Sequence, residues 1–576
     1  MKRKVLKKTT TATVLILAIL IISMLFVFAF PITSAKAVSA TVTIDFSPNG
    51  GSACEPIRTV KYGDSIQLPT STKLGYNFVG WSLESGNANK IVTNTDLWNK
   101  YTPVEENEVL TLYAIWSPKS YKFTFIPDNG YGTFYKYYNV DQSTINGIQL
   151  PKEYKLGYRF KGWKYNGSVV EYIDLKNILK TGGDAAANAI TLEAQWTPVT
   201  KAVAGSNIQN LDAKDMFLDF SSVSSNGPFN YYIKDSVDTI TLYGNGKTIN
   251  NASFVIATRN TALTIVMYNI RIYAPDNTNA IYAEAADGTT LGKVNGKWCL
   301  TIDGDTTLNI ECIGANNEIR GGKRTYYEIT EGADPSKYCS GIVSKNINIS
   351  TDDLYYGDYD AYATLKVYGG DGYTSATNGG SGIWASYLTI ESINMEAYGG
   401  DGATGESGAY GTTGATGGLG HNNGYDGGTG GDGGNGGNGR YALNVSHKIT
   451  IRYTATVKCT GGNGGAGGAG GTGGTGGTGR EAAFARYAGN GGNGGQGGNG
   501  GNGGIGYAAI MNSAEVVVLD NSVLDKVGGQ SGAAGAGGAG GAGGSGGKRL
   551  NGTYADSGAA GAAGTEGSAG SSNYGA

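Results

Sequence analysis

Histidine is nearly absent from this chain of 576 residues: there are 2, His421 and His447, and neither stands beside an acidic residue. No histidine–carboxylate pair is therefore visible in the sequence. Cysteine is scarce too, and Cys54, Cys299, Cys312, Cys339 and Cys459 include no C-x-x-C pair, which argues against a zinc site. Five is an odd number, so at least one thiol has no partner within the monomer. The cysteines read as small buried side chains, with Cys299 and Cys312 near one another only if their segments stack. Charge of one sign is lacking: the net charge is −3, so nothing suggests a strong nucleic-acid or polyanion binder. Proline stops at Pro335, and there are only 12 in the chain. Glycine runs the other way, with about 70 of the 98 glycines after Tyr368, roughly a third of that segment. A third glycine with abundant proline would read as collagen; without proline it does not. Tyrosine is abundant, at 38 residues.

The N-terminus has the order of an export signal. Residues 1–8 carry five positive charges, Val14 to Phe30 is an apolar run of 17, and Pro31 and Ala35-Lys36-Ala37 follow. Residues 1–37 are read as a signal peptide cleaved after Ala37. The apolar run approaches spanning length, so an uncleaved membrane anchor is the alternative, and membrane contact is expected only through this segment. Either way the positive end stays inside and the rest of the chain is expected outside the cell.

Residues 41–117 and 121–198 are two copies of one unit. "TVTIDFSPNGG", "IQLPTSTKLGYNFVGWS" and "LTLYAIW" recur as "YKFTFIPDNGYG", "IQLPKEYKLGYRFKGWK" and "ITLEAQW". Gly75, Tyr76, Gly80 and Trp81 return 82 residues later as Gly157, Tyr158, Gly162 and Trp163, and Trp116 returns as Trp196. Alternation in Val42–Phe46 and Leu110–Ile115 predicts half-buried strands, and Asn49-Gly50 and Asn129-Gly130 predict turns. Short helical or irregular stretches fall near Thr93–Lys100 and Asp174–Leu179. The four tryptophans are read as core anchors rather than sugar platforms, because each ends an alternating strand or follows a tight glycine turn. These landmarks resemble the internalin B-repeat, or Listeria/Bacteroides repeat, over about 160 of the 576 residues. Copy two departs from the pattern where Tyr131 separates Gly130 from Gly132. The resemblance implies a β-grasp-like module of secreted or envelope proteins, used in tandem as a stalk, with no catalysis.

Beyond Thr200 the pattern changes. Residues 199–236 read as a linker or cap, 237–398 as a parallel β-solenoid, and 399–576 as further coils with glycine inserts and a low-complexity tail. "GIVSKNINIS", "GIWASYLTIES", "YALNVSHKITI" and "YAAIMNSAEVVV" align, and each leads on to an apolar strand and a double glycine. A unit that cannot bury its own apolar side must stack on its neighbours, with Ile and Val in inward ladders. The resemblance to right-handed parallel β-helices lies in this pattern.

The glycine inserts leave after the same point of each coil and keep a three-residue frame. The frame is G-x-x from Gly399 to Gly420, becomes GGX from Gly424 through Gly436, stays GGX over Gly461–Thr478 and Gly491–Gly504, and returns to G-x-x over Gly558–Gly570. Three is the period of polyproline II, and glycine on two of three faces lets neighbouring segments approach closely. Such triplets resemble the bundles of some phage adhesins and glycine-rich antifreeze proteins. A lone insert, by contrast, would stay a flexible loop, since ordering costs roughly 1–2 kcal/mol per residue against about 0.5–1.5 per hydrogen bond. Polyproline-II-like order and disorder both remain open at this point.

Acidic groups that could serve glycoside chemistry are Asp303, Asp305 and Glu311, and Asp352, Asp353, Asp358 and Asp360 beside Tyr355, Tyr356, Tyr359 and Tyr362. No such cluster recurs on neighbouring coils, and solvated loop acids account for the pattern. Asp371, Asp401 and Asp432 do not fit a calcium nonapeptide and read as loop residues. No catalytic, cofactor-binding or metal-ligating residue is assigned, and no cofactor is expected. The expectation is a mainly β, extracellular or envelope-associated protein acting in adhesion, its partner an extracellular protein or glycan and not a nucleic acid. A polysaccharide lyase or glycoside hydrolase is the first alternative, an ice- or surface-binding protein the second. No LPxTG-type sorting signal is visible, so the mode of attachment is open and the chain is read as a possible fragment.

Overall fold

The computed structural model describes residues 40–571 apart from 131, 203, 206–208, 225, 258, 284–291, 295–296, 300–305, 326–338, 352–362, 375–376, 419–421 and 483–486. The N-terminal segment with Ala37 lies outside the described residues. The chain groups into two compact units: Met1–Ile126 with Thr133–Leu150 and Val170–Leu192, and Pro127–Gly132 with Pro151–Val169 and Glu193–Ala576.

The first repeat copy forms a five-stranded mixed sheet from β1 (Thr41–Ser47), β2 (Ile57–Lys61), β3 (Tyr76–Ser82), β4 (Ile91–Val92) and β5 (Glu108–Pro118), in the order β2-β1-β5-β3-β4. The central pair, β1 and β5, is parallel; β2 and β3 join it antiparallel. This is the β-grasp-like arrangement expected. Alternation sets the core: Val42, Ile44 and Phe46 of β1 and Leu110, Leu112 and Ala114 of β5 are buried, and Trp81 seals them. In the second copy, strands Tyr158–Tyr165 and Thr191–Pro198 pair antiparallel with the register of β3 and β5. Trp163 sits opposite Ala194 as Trp81 sits opposite Ala114, and Phe160 opposite Trp196 as Phe78 opposite Trp116. Both pairs carry a bulge at the same point, where Gly80 (φ +155) and Gly162 (φ +121) absorb it. Helices cover Leu97–Lys100 and Leu175–Asn188, where the sequence placed its short helical stretches.

From Thr200 onward the strands stack in parallel into one solenoid of three faces. One face runs through Asp215–Asp219, Thr239–Tyr243, Leu263–Tyr268, Thr307–Ile313, Asn346–Ser350, the second half of Ile383–Glu391 and of Leu443–Arg452, and Glu515–Val518. Met216, Ile240, Ile265, Ile310, Ile349, Ile390 and Ile451 lie in register along it, one per rung, all buried. Full burial of each such side chain contributes about 1.5–3 kcal/mol, realised only when rungs lie above and below. A second inward ladder runs Ile249, Ile272, Ile319, Val367, Ala397 and Cys459. The parallel pairing already begins at Thr200–Ala202 with Asp215–Asp219, so 199–236 belongs to the stack and is not a linker. Three of its strands, Thr200–Ala202, Gln209–Leu211 and Asp215–Asp219, run only three to five residues, which hid their periodicity.

Cysteine follows the same logic. Cys312 and Cys459 occupy ladder positions, and Cys312, Cys339 and Cys459 are free, buried thiols. Burial pushes the Cys339 and Cys459 thiols up to about 12. Cys54 is free and half-buried; the side chain of Cys299 lies outside the described residues.

Candidate functional site

The repeat landmarks are structural. The indole nitrogen of Trp81 donates to the Pro69 carbonyl at 2.7 Å, and that of Trp163 to Pro151 at 2.5 Å. Trp116 and Trp196, half-buried, donate to Pro48 and Pro127, each at 2.9 Å. Each ring thus fills a core or its margin while its N–H is satisfied, as a buried indole requires. Gly75 (φ +80) and Gly157 (φ +77) make the tight turn that precedes the tryptophan strand. Tyr76 hydrogen-bonds to Asp141, and that bond lifts its phenol to about 12. The sequence reading missed one device. Lys73 lies over Tyr76 at 4.3 Å and Trp116 at 5.8 Å, and Lys155 over Tyr158 at 4.8 Å and Trp196 at 5.9 Å. The repeated Lys-Leu-Gly-Tyr spelling was the available signal.

The glycine inserts are ordered, which corrects the disordered alternative. They leave the solenoid after strands Asn394–Tyr398, Thr456–Thr460 and Val523–Val527, which are neighbours in one face. Each insert is a hairpin of two triplet segments: 399–418 with 422–440, 461–480 with 489–506, and 529–547 with 555–570. Outgoing segments lie parallel to one another: Gly405, Gly408 and Gly411 donate to Ala466, Ala469 and Thr472, and Gly467, Gly470 and Gly473 donate to Ala533, Ala536 and Ala539, all at 2.8 Å. Returning segments do the same, as Gly494 to Ala559 shows at 2.8 Å. The two rows are joined antiparallel: Gly465, Gly468 and Gly471 donate to Gly437, Gly434 and Gly431 at 2.8 Å. The result is a two-layer bundle with a three-residue hydrogen-bond period.

Sterics explain the spelling. In an inner segment both glycines face a neighbour: a Cβ at Gly464 would lie 2.0 Å from the Gly504 carbonyl oxygen, and one at Gly465 1.9 Å from that of Ala403. The first and last segments each lack a neighbour on one side. There Ala409, Thr412 and Ala415, and Ala560, Ala563 and Glu566, stand exposed where an inner segment has its other glycine. G-x-x therefore marks the two edges of the bundle and GGX its interior.

The third residue of many triplets has a task of its own. Where the preceding coil has Asn or Asp at the matching position, that side chain accepts from its N–H. Asp371 Oδ1 accepts from Asp401 N, Asp401 Oδ1 from Asn463 N, and Asn463 Oδ1 from Gln530 N, at 3.0, 2.6 and 2.8 Å. On the returning row Asp432 accepts from Asn499 N and Asn499 from Thr565 N, at 2.7 and 3.0 Å. The acids expected to be loop residues are thus rungs of a ladder. No sequence feature revealed this, since the partners lie 66 or 67 residues apart in the returning row.

At the turn end the composition changes. Arg480 N donates to Asn422 O and Gly489 N to Arg480 O, while Ala482 N donates to Lys548 O, so the turn ends of the three hairpins adjoin. Tyr425, Tyr487, Tyr554 and Leu550 are exposed there, the last three by 77, 64 and 73 % respectively, in the company of Arg480, Lys548 and Arg549. A segment of about 18 residues at roughly 3.1 Å each sets this end some 55 Å from the coils.

Of the acids weighed for catalysis, Glu311 is paired with Lys152 at 3.3 Å. Asp303, Asp305, Asp352, Asp353, Asp358 and Asp360, the tyrosines beside the second group, and His421 lie outside the described residues. His447 stacks on Tyr387 at 5.1 Å. Among the described residues no group of three or more His, Cys, Asp or Glu is placed to hold a metal.

The fold therefore defines a β-solenoid protein with small mixed-sheet modules before it and a glycine-triplet bundle on one edge. Residues 43–115 match the family model of the Listeria-Bacteroides repeat domain, so the chain carries that domain in its first copy, and the repeat is typical of extracellular or surface proteins. No solved structure matches the chain.

Proposed function

We propose that this chain is an extracellular or envelope-associated adhesion protein that carries no chemistry of its own: the repeats act as a stalk, and the solenoid holds the glycine bundle as a display arm. The observation that supports this reading best is the turn end of the bundle. Triplet segments of Gly, Ala, Thr and Asn, rigid through their paired amides, end in exposed tyrosines, Leu550 and cations. Aromatic and Arg side chains on a rigid support are what binding hot spots are built from. The partner is an extracellular protein or glycan.

The full chain, immobilised, should retain cells or glycans, and a Tyr487→Ser/Leu550→Ser/Tyr554→Ser variant should lose retention by tenfold or more while its circular dichroism is unchanged. Equal retention by the variant overturns the reading, and so does steady release of reducing sugar by the wild type, which would favour the polysaccharide-active alternative. The ice-binding alternative rests on the outer face of the outgoing row, where Thr478 meets Thr416 at 3.2 Å beside columns of Ala and Thr. Tyr410, 82 % exposed, interrupts that face, so this reading takes second place; thermal hysteresis would revive it.

A further inference from the structure

A groove of about 360 Å³ runs along the solenoid flank formed by Arg271–Tyr273, Asn317–Arg320 and Thr364–Tyr368. Its size falls within the range of small-ligand clefts, roughly 300–1,000 Å³. The register builds its walls. One outward column reads Arg271, Glu318, Lys366, Glu396, Lys458 and Asp525, alternating in sign from rung to rung. The column beside it reads Tyr273, Arg320, Tyr368 and Tyr398. Arg320 lies against both tyrosine faces, 4.1 Å from the ring centre of Tyr368 and 5.2 Å from that of Tyr273.

Charge in the groove is unbalanced. Arg271, Arg320 and Lys366 line it with a single carboxylate, Glu318. Glu318 pairs with Arg320 at 3.2 Å, and Lys366 with Glu396 at 2.8 Å. Arg271 has only a long bond of 3.4 Å to the Asn316 side chain and, among the described residues, no ion pair. Its guanidinium fork is therefore available to an anion, the group it suits best. The other walls are tyrosine rings, amides and the Thr364 hydroxyl; Ala315 is the one aliphatic residue. A peptide would need an apolar anchor pocket that this lining does not provide. A polyhydroxylated ring bearing an acid group meets both requirements.

We propose that this groove binds a short anionic saccharide, its acid group on Arg271 and its hydroxyls on the Asn316 amide and Thr364; both faces of Tyr368 are taken, one by Arg320 and the other by Tyr398 stacked at 4.6 Å. The inference does not rest on the display role of the bundle, whose turn-end substitutions should leave it intact. Calorimetry on the full chain with carboxylated, sulfated and neutral tetrasaccharides tests it. The carboxylated or the sulfated arm, or both, should bind at submillimolar concentration, more weakly as salt rises; which arm binds identifies the acid group. Arg271→Gln should weaken binding at least about tenfold, the loss of one charge-assisted hydrogen bond. Lys458→Gln, the same charge change two rungs outside the groove, should leave it unchanged. Binding of the neutral sugar with equal affinity, an Arg271→Gln variant that binds like the wild type, or no heat from any of the three would overturn the proposal.

Discussion

Gly465 N donates to Gly437 O at 2.8 Å, and the Cβ that any other residue would place at Gly465 lies 1.9 Å from the carbonyl oxygen of Ala403. One position thus carries a bond to one segment and a steric limit set by another. An inner triplet tolerates only glycine at two of its three positions, whereas an edge triplet has that limit at one. Gly465→Ala should destabilise the bundle by about 1–3 kcal/mol, the usual cost of overpacking a tight interior. Ala563→Gly, at the edge, should stay within about 0.5 kcal/mol of wild type. Denaturant unfolding of both variants checks the pair; equal effects contradict the layered packing.

The Asn and Asp ladder makes a graded prediction. Asn499→Ala leaves Thr565 N without its side-chain acceptor, at an exposed site where water takes over, so the cost should be at most about 1 kcal/mol. Asn499→Asp keeps the acceptor and should restore most of it. Amide exchange at Thr565, measured in both variants, distinguishes loss of the acceptor from a general loosening.

How much of this was visible in the sequence depends on the range of the interactions. The repeat landmarks were legible because Trp81 and Trp163 find their acceptors 12 residues back, inside one short motif. The coil repeat was legible because Ile310, Ile349, Ile390 and Ile451 return with their flanking strands. The segment 199–236 was read as a linker or cap because most of its strands are too short to show clean alternation, and only pairing with Thr239–Tyr243 and later rungs reveals them. Order in the inserts could not be decided from one insert, since each segment is held by neighbours from other coils. The groove was invisible for the same reason: Arg271, Glu318 and Lys366 meet only once the register is known.

The indole bonds of the repeats should be equivalent. Trp81→Phe and Trp163→Phe each keep a six-membered aromatic ring but lose the pyrrole half and its N–H, leaving a small void and an unpaired proline carbonyl, and each should cost about 1–3 kcal/mol. Thermal unfolding of the two variants checks this; a cost in one alone would mean that the second copy is not built like the first.

Thiol accessibility should follow the solenoid ladders. Cys312, Cys339 and Cys459 should resist alkylation in the native protein and react only on unfolding, while Cys54 reacts first. Peptide mapping after a timed iodoacetamide pulse reads this directly. Fast native labelling of Cys459 would contradict its place in the inward ladder.

Alkaline pH should weaken the fold through its tyrosines. Burial raises Tyr138 to about 12, and burial with the Glu396 bond does the same for Tyr398. Both favour the neutral phenol when folded. Their contribution is whole below the ordinary phenol pKa of about 10 and is lost as pH climbs through the folded values near 12. Tyrosinate absorbance and ellipticity recorded together over this range should show late ionisation coinciding with loss of structure. Full ionisation near pH 10 with the fold intact would contradict it.

The bundle depends most on paired amides in the glycine inserts, and native-state hydrogen exchange resolved to short peptides measures them. Across 461–480 and 489–504 the glycine amides should be protected at least about a hundredfold over free-chain rates, with protection falling off toward the turn ends. Free-chain exchange throughout 399–570, with the solenoid strands still protected, would contradict the bundle.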